Sequence, residues 1–257
     1  MTTKPTRTAA VRLARTAAVR LARTTAAELV KLRGLPAILG TALGTVVTGA
    51  FLAVALASSA PTATDATDVV THTVLFLQIG PILIGVLAVA TEYAGRQIAT
   101  TLTATPNRRL LLAGKAAAYL IVATATSVTT IVAGLAAAQL TLIARDRAAE
   151  AREFDPWPAA GAVTYLVLIG VLALALATLL RSLIPPLVGM LTVVLVVSPL
   201  LSGYTEHARW LPDRAGGLLY LPTTDPVLGA RTGTIVLLTW IALTGSAAIA
   251  AFRSRDA

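Results

Sequence analysis

Six stretches of this sequence lack Asp, Glu, Lys and Arg for longer than a membrane-crossing helix requires. They run over 34–64, 69–91, 116–144, 156–180, 182–205 and 232–252, with lengths of 31, 23, 29, 25, 24 and 21 residues. A helix needs roughly 20 apolar residues to cross the hydrocarbon core of a bilayer. The next-longest such stretch inside the chain, 97–107, has 11. The pattern predicts an all-α integral membrane protein with six transmembrane helices over 36–58, 69–91, 116–143, 159–180, 183–203 and 232–252. Only Arg181 separates the fourth from the fifth. One helix over both would be about 66 Å long, twice the bilayer core, so a turn is required at Arg181.

Composition supports this reading. Charged residues make up 13% of the 257 positions and hydrophobic residues 56%. A soluble domain carries roughly 25% charge, so soluble enzymes and disordered chains are both excluded. There is no cysteine, which removes disulfides, thiolate metal sites and cysteine nucleophiles. With six spans the termini share a side. If that side is the cytoplasm, the inner segments hold fifteen basic residues and three acidic ones, and the outer segments six basic and nine acidic. This is a strong positive-inside asymmetry. The first apolar run, behind 35 residues of basic arm, is too long for a cleaved signal peptide.

Residues 1–24 form a basic arm built on a tandem octapeptide, Arg-Thr-Ala-Ala-Val-Arg-Leu-Ala, repeated over 7–22. It is expected to lie on anionic lipid or to be disordered. No aromatic residues interleave its arginines, which speaks against nucleic acid. Residues 25–34 read as an amphipathic interfacial helix opened by Thr25 and Glu28 in capping-box spacing. Ala26, Leu29, Val30 and Leu32 share one arc, Glu28 and Lys31 the other, and Arg33 can snorkel. Gly34 ends this helix, and Pro36 suits the first turn of the next. The remainder, 35–257, is the six-helix transmembrane domain. Gly40 and Gly44 have the GxxxG spacing of close helix contacts. Gln78, Gly80 and Pro81, and Pro185, Pro186 and Pro199, interrupt two spans and are expected to kink or hinge them. The outer segment 144–158 is expected to extend the third span. The long, semi-apolar segment 203–231 is expected to form short interfacial or re-entrant pieces.

Catalytic signals are almost absent. His72 and His207 stand on different segments without a carboxylate cluster, so no metal centre is expected. Ser202-Gly203 lacks the intramembrane histidine that a membrane serine protease needs. There is no GxxxxGK[ST] phosphate loop. No ionisable residue lies deep in a predicted span, which counts against ion-driven carriers and proton pumps.

The first inner segment, Glu92 to Lys115, is the most structured of the polar parts. Gly95 permits a change of direction. Ile98, Ala99 and Leu102 share a helical face opposite Arg96, Gln97, Thr100 and Thr101. Pro106-Asn107 marks a turn, and Arg108, Arg109 and Lys115 anchor the next span. A solvated loop and a short docking helix fit these residues equally well.

The block Ile84-Gly-Val-Leu-Ala-Val-Ala-Thr-Glu-Tyr93, followed by Thr100-Thr-Leu-Thr-Ala-Thr-Pro-Asn-Arg-Arg109 and Lys115, resembles the permease subunits of ABC-2 type ABC transporters. Glu28-Leu-Val-Lys-Leu-Arg33 and Tyr220-Leu-Pro222 are similar to that family's segments before the first and last spans. Ala94 stands where a basic residue usually follows Glu-Tyr. The resemblance implies an export permease that forms the translocation path and is not itself catalytic. A cytoplasmic coupling helix between spans two and three would dock on a separate ATP-binding subunit. By carry-over its residues are Glu92, Tyr93, Gly95, Arg96, Thr101, Leu102, Pro106 and Arg109. The connecting helix would comprise Glu28, Leu29, Lys31, Leu32 and Arg33. ATP and magnesium would reside on the partner ATPase, with no cofactor in this chain. A second permease chain, identical or not, would complete the path, and membrane lipid is the remaining partner. Eighteen arginines to three lysines, with abundant alanine, fit a GC-rich bacterial genome and hence a bacterial plasma membrane. The charge-free interior favours an amphipathic or lipophilic cargo. The rival expectation is a non-transport membrane protein, such as an immunity or sensor component, without ATPase coupling.

Overall fold

The computed structural model describes residues 7–61, 64–94, 108–147, 155–221 and 227–254, all in helices and short connections. Helix α1 spans Arg7–Gly34, α2 Pro36–Ser59, α3 Ala66–Leu77, α4 Ile79–Ala94, α5 Arg108–Ala144 and α6 Trp157–Leu180. Then come α7 (Ile184–Thr192), a π-helical turn (Val193–Val197) and α8 (Ser198–Tyr204). A 3-10 turn (Glu206–Trp210), α9 (Pro212–Gly217) and α10 (Ala230–Ser254) complete the chain. Among the described residues, six helical stretches are long and apolar enough to cross a membrane: Pro36–Ser59, Ala66–Ala90, Leu110–Ala144, Trp157–Leu180, Ile184–Tyr204 and Ala230–Ala251. Each overlaps one of the six expected spans. The chain is a multi-pass membrane protein.

Three boundaries differ from expectation, each for a local reason. The basic arm and the connecting helix are one continuous helix from Arg7, with no start at Thr25. The octapeptides are built largely of alanine, leucine and arginine, strong helix formers, so nothing interrupts the helix. The third span does not extend into 144–158. It ends at Ala144, and Asp146 turns the chain with a left-handed φ of 55°. Its extra length lies at the other end, back to Arg108. Arg147 then folds over the end of α2, donating from Nη1 to the carbonyls of Ser58 (2.9 Å) and Ala60 (2.7 Å). These are orphan carbonyls of a helix C-terminus, where a cation is favoured.

The required turn is at Arg181, which takes a left-handed φ of 52° and caps α6. The second span is interrupted at Gln78, yet Gln78 N–H still reaches Val74 O and Ile82 N–H still reaches Gln78 O. In the fifth span the π turn ends two residues before Pro199. A proline ring clashes with the carbonyl four residues back, here Leu195, and the wider turn accommodates it.

The centre of the bundle is α3–α4 and α6. The α3–α4 span is 72% buried and α10 only 11%. α4 and α10 pack on α6, while α1 and α2 pack on α5. The outer faces are apolar: Leu43, Val47 and Phe51 on α2, and Ile235, Leu238 and Leu243 on α10 are exposed. Water would penalise such faces, whereas lipid tails solvate them at no cost.

Contacts at the centre depend on missing side chains. A Cβ on Gly85 would collide with the Gly170 carbonyl, and one on Gly80 with the Thr45 side chain. By contrast, Gly40 and Gly44 have no neighbour within 4 Å where a Cβ would sit, so the GxxxG pair makes no close contact within the chain. The segment after Tyr204 forms short helical pieces packed on the bundle. Ala215, Gly216, Leu218 and Leu219 are buried, and Gly161 and Gly233 admit the carbonyls of Leu219 and Ala215.

Candidate functional site

At the end of the bundle where α1 meets α2, three helices converge on one buried ion pair. Glu28 on α1 is only 2% exposed. Its Oε2 accepts from Lys115 Nζ at 2.7 Å, and its Oε1 from Lys31 Nζ at 2.8 Å. Lys115, 5% exposed, donates also to the Ala88 carbonyl on α4 at 3.1 Å. One ammonium group therefore ties α1, α4 and α5 together.

Local sequence prepares this node. Four residues before Glu28, Thr24 packs against Gly114, where a Cβ would lie 2.5 Å from the threonine methyl. That close approach brings Lys115 of α5 beside Glu28. Leu32, one turn on, is buried, and Leu29 and Leu35 pack against the core. The buried stripe of α1 is thus Glu28 and Leu32, not the arc of Ala26, Leu29, Val30 and Leu32. Val30 is 72% exposed, so the expected polar arc is turned partly inward. Lys31 and Arg33 remain on the exposed side. Periodicity places a glutamate outward because water is its default partner. Here Lys115 replaces water.

Burial alone would push the Glu28 carboxyl up. The adjacent Lys115 and Lys31 ammonium groups outweigh it and hold the group below its ordinary value. The node is consequently an ion cluster of one carboxylate between two ammonium groups, with a net charge of +1.

Sequence reasoning placed Lys115 among surface anchors and missed its inward role. The available signal was its position seven residues into a helix otherwise apolar from Leu110 onward. It also missed Tyr119, one turn further along α5, whose buried hydroxyl faces the carbonyls of Pro81 (3.3 Å) and Val167 (3.5 Å). Tyr119 thereby extends the junction of α5 to α4 and α6.

Of the positions carried over for coupling, Gly95, Arg96, Thr101, Leu102 and Pro106 lie outside the described residues. Glu92 and Tyr93 fall in the last turn of α4 and Arg109 in the first turn of α5, where only the backbone is described. The node and this segment are nevertheless close along the chain. Ala88 precedes Glu92 by one helical turn, and Lys115 follows Arg109 by less than two. No protein-family model and no curated protein matches this chain.

Proposed function

We propose that the chain is the permease subunit of an ATP-driven exporter of the ABC-2 type, spanning a bacterial plasma membrane with both termini cytoplasmic. In this reading it performs no covalent chemistry. A separate ATP-binding subunit docks on the segment 92–109, and a second permease chain completes the path. The observation that carries the reading is the Glu28–Lys115–Ala88 node. The segment resembling a coupling helix joins the end of α4 to the start of α5, and the node clamps those same two ends to α1. A push on that segment therefore moves three helices together rather than bending one. That is the mechanical requirement of a coupling element whose equilibrium two sites bias. The positive-inside asymmetry supports the orientation, and the absence of ionisable groups deep in the spans agrees with energy supplied from another subunit.

The test is affinity purification from native membranes in mild detergent, with mass spectrometry of the co-purifying proteins. The expected result is a near-stoichiometric ATPase bearing a Walker A motif, lost when residues 96–102 are substituted. A folded chain that purifies alone would overturn the reading and favour an immunity or sensor component.

A further inference from the structure

At the far end of the bundle, between α8 and α10, the short helical pieces carry a second group of charges. Asp213, in the first turn of α9, is 8% exposed, and its Oδ1 meets no hydrogen-bond donor among the described residues. Burial raises this carboxyl, against the opposing effects of the Ser198 hydroxyl, the backbone N–H groups of Asp213 and Arg214 and the Arg214 charge, so the bare acceptor is Oδ1 alone. A buried acceptor without a donor is costly, and native structures rarely leave one without a reason. Asp213 lines a cavity of about 240 Å³ together with the rings of Tyr165 and Tyr220. Those rings lie 5.4 Å apart at 49°, and the Tyr165 hydroxyl is fixed by donation to Gln78 Oε1. A carboxylate beside two aromatic rings is the chemistry that receives an ammonium group.

Arg214 lines this cavity and also a neighbouring polar one of about 290 Å³. Its guanidinium donates to Ser198 Oγ (3.3 Å) and Ser202 Oγ (2.7 Å). The second cavity adds Arg209, Thr205 and Glu206. Arg209 is held by Glu206, donating to its carbonyl at 2.7 Å and its carboxylate at 3.0 Å. Two guanidinium groups and two hydroxyls on one cavity are anion-binding chemistry.

A purely cationic ligand would meet Arg214, and a purely anionic one would meet Glu206 and Asp213. The four side chains are two cations and two anions. A ligand with one charge of each sign, separated by a short spacer, satisfies both ends at once. The surroundings are apolar on the outward side: Leu75, at the wall of the first cavity, and Leu200, Leu201, Tyr204 and Trp210 are exposed. We propose that the two cavities together bind the zwitterionic head group of an amphiphile, its ammonium against Asp213 and the Tyr165–Tyr220 pair and its anionic group against Arg214, Arg209 and Ser202. As a binding site this stands alone. As the site of the exporter's cargo it rests on the function proposed above.

The experiment uses the full chain in maltoside micelles, without any ATPase, so its failure leaves the exporter reading untouched. Native mass spectrometry follows titration with dilauroyl phosphatidylethanolamine, dilauroyl phosphatidate and dodecylamine. The zwitterionic lipid should bind about tenfold tighter than either single-charge probe, the difference expected for one charge-assisted contact. Asp213→Asn should reduce its binding about tenfold, to the level of phosphatidate, and Arg214→Gln should weaken both phosphate-bearing lipids. Equal binding of phosphatidate and phosphatidylethanolamine to the unsubstituted chain would overturn the proposal, and that comparison requires no variant to fold. An unchanged lipid ratio in a normally melting Asp213→Asn variant would overturn it as well.

Discussion

Glu28 and Lys115 act on stability through one another, so neither has a meaningful contribution alone. Removing Glu28 takes the counterion from the buried Lys115 ammonium and costs about 3–5 kcal/mol, whereas removing Lys115 leaves Glu28 with Lys31 and costs less. Replacing both by apolar or neutral residues of similar volume costs far less. Glu28→Gln should therefore lower the melting temperature in detergent sharply and Lys115→Met less so, and the double variant should recover most of the Glu28→Gln loss. A double variant as unstable as the sum of the singles would show that the two side chains do not interact. The pH dependence has a definite sign. The folded Glu28 carboxyl titrates below its ordinary value. Its contribution is thus fully present above the unfolded value of about 4.3 and disappears as pH falls through the folded value. Thermal melts of the native chain should lose stability in that acidic window, and Glu28→Gln should remove this part of the slope. The Glu28–Lys31 pairing was legible in the sequence, because residues three apart on a helix are neighbours. The Lys115 partner was not, because nothing local distinguishes an inward lysine near a helix end from a snorkelling one.

At the level of helices, glycine positions divide by what faces them. Gly170 is pressed against α4 and α5: a Cβ there would overlap the Tyr119 hydroxyl and lie 2.6 Å from the Pro81 carbonyl. Gly170→Ala should destabilise by about 1–3 kcal/mol, the usual cost of overpacking, because backbone cannot yield. Gly44→Ala has open space and should be neutral or stabilise by up to about 1 kcal/mol through helix propensity. Chemical denaturation of both variants in the same detergent checks the contrast, and equal effects would contradict the packing described. A motif search favours Gly40 and Gly44 and overlooks Gly85 and Gly170. The reason is physical: Gly85 and Gly170 meet across two helices, and no spacing within either helix records that contact. The kink at Pro199 and the turn at Arg181 were legible, since a ring clash and a bilayer thickness act on the chain locally.

Over the whole molecule, the arm and the junction separate into dispensable and essential parts. Residues 15–20 of α1 are exposed, whereas Thr24 meets Gly114 of α5, Glu28 meets Lys115 of α5 and Leu32 is buried. Deleting residues 2–22 should leave the melting temperature nearly unchanged, within the about 0.5 kcal/mol typical of surface changes, and should leave partner co-purification intact. Loss of the folded chain would show that the arm is structural. On the proposed function, Glu92→Ala and Leu102→Asp should cut stimulation of the partner ATPase while insertion stays normal. Unchanged stimulation in both variants would count against the coupling role.

The sequence by itself determined the six spans, the turn at Arg181, the short pieces that follow the fifth span and the uneven distribution of charge along the chain. Each follows from a one-dimensional property, because bilayer thickness and surface charge are read along the chain. Only the tertiary structure decided that Glu28 faces inward, that Lys115 answers it from 87 residues away, and that Asp213 stands buried beside two tyrosines. Those outcomes depend on which helices pack together. A charge buried on one helix finds its counterion on another, and periodicity along either helix has no means of recording the partner.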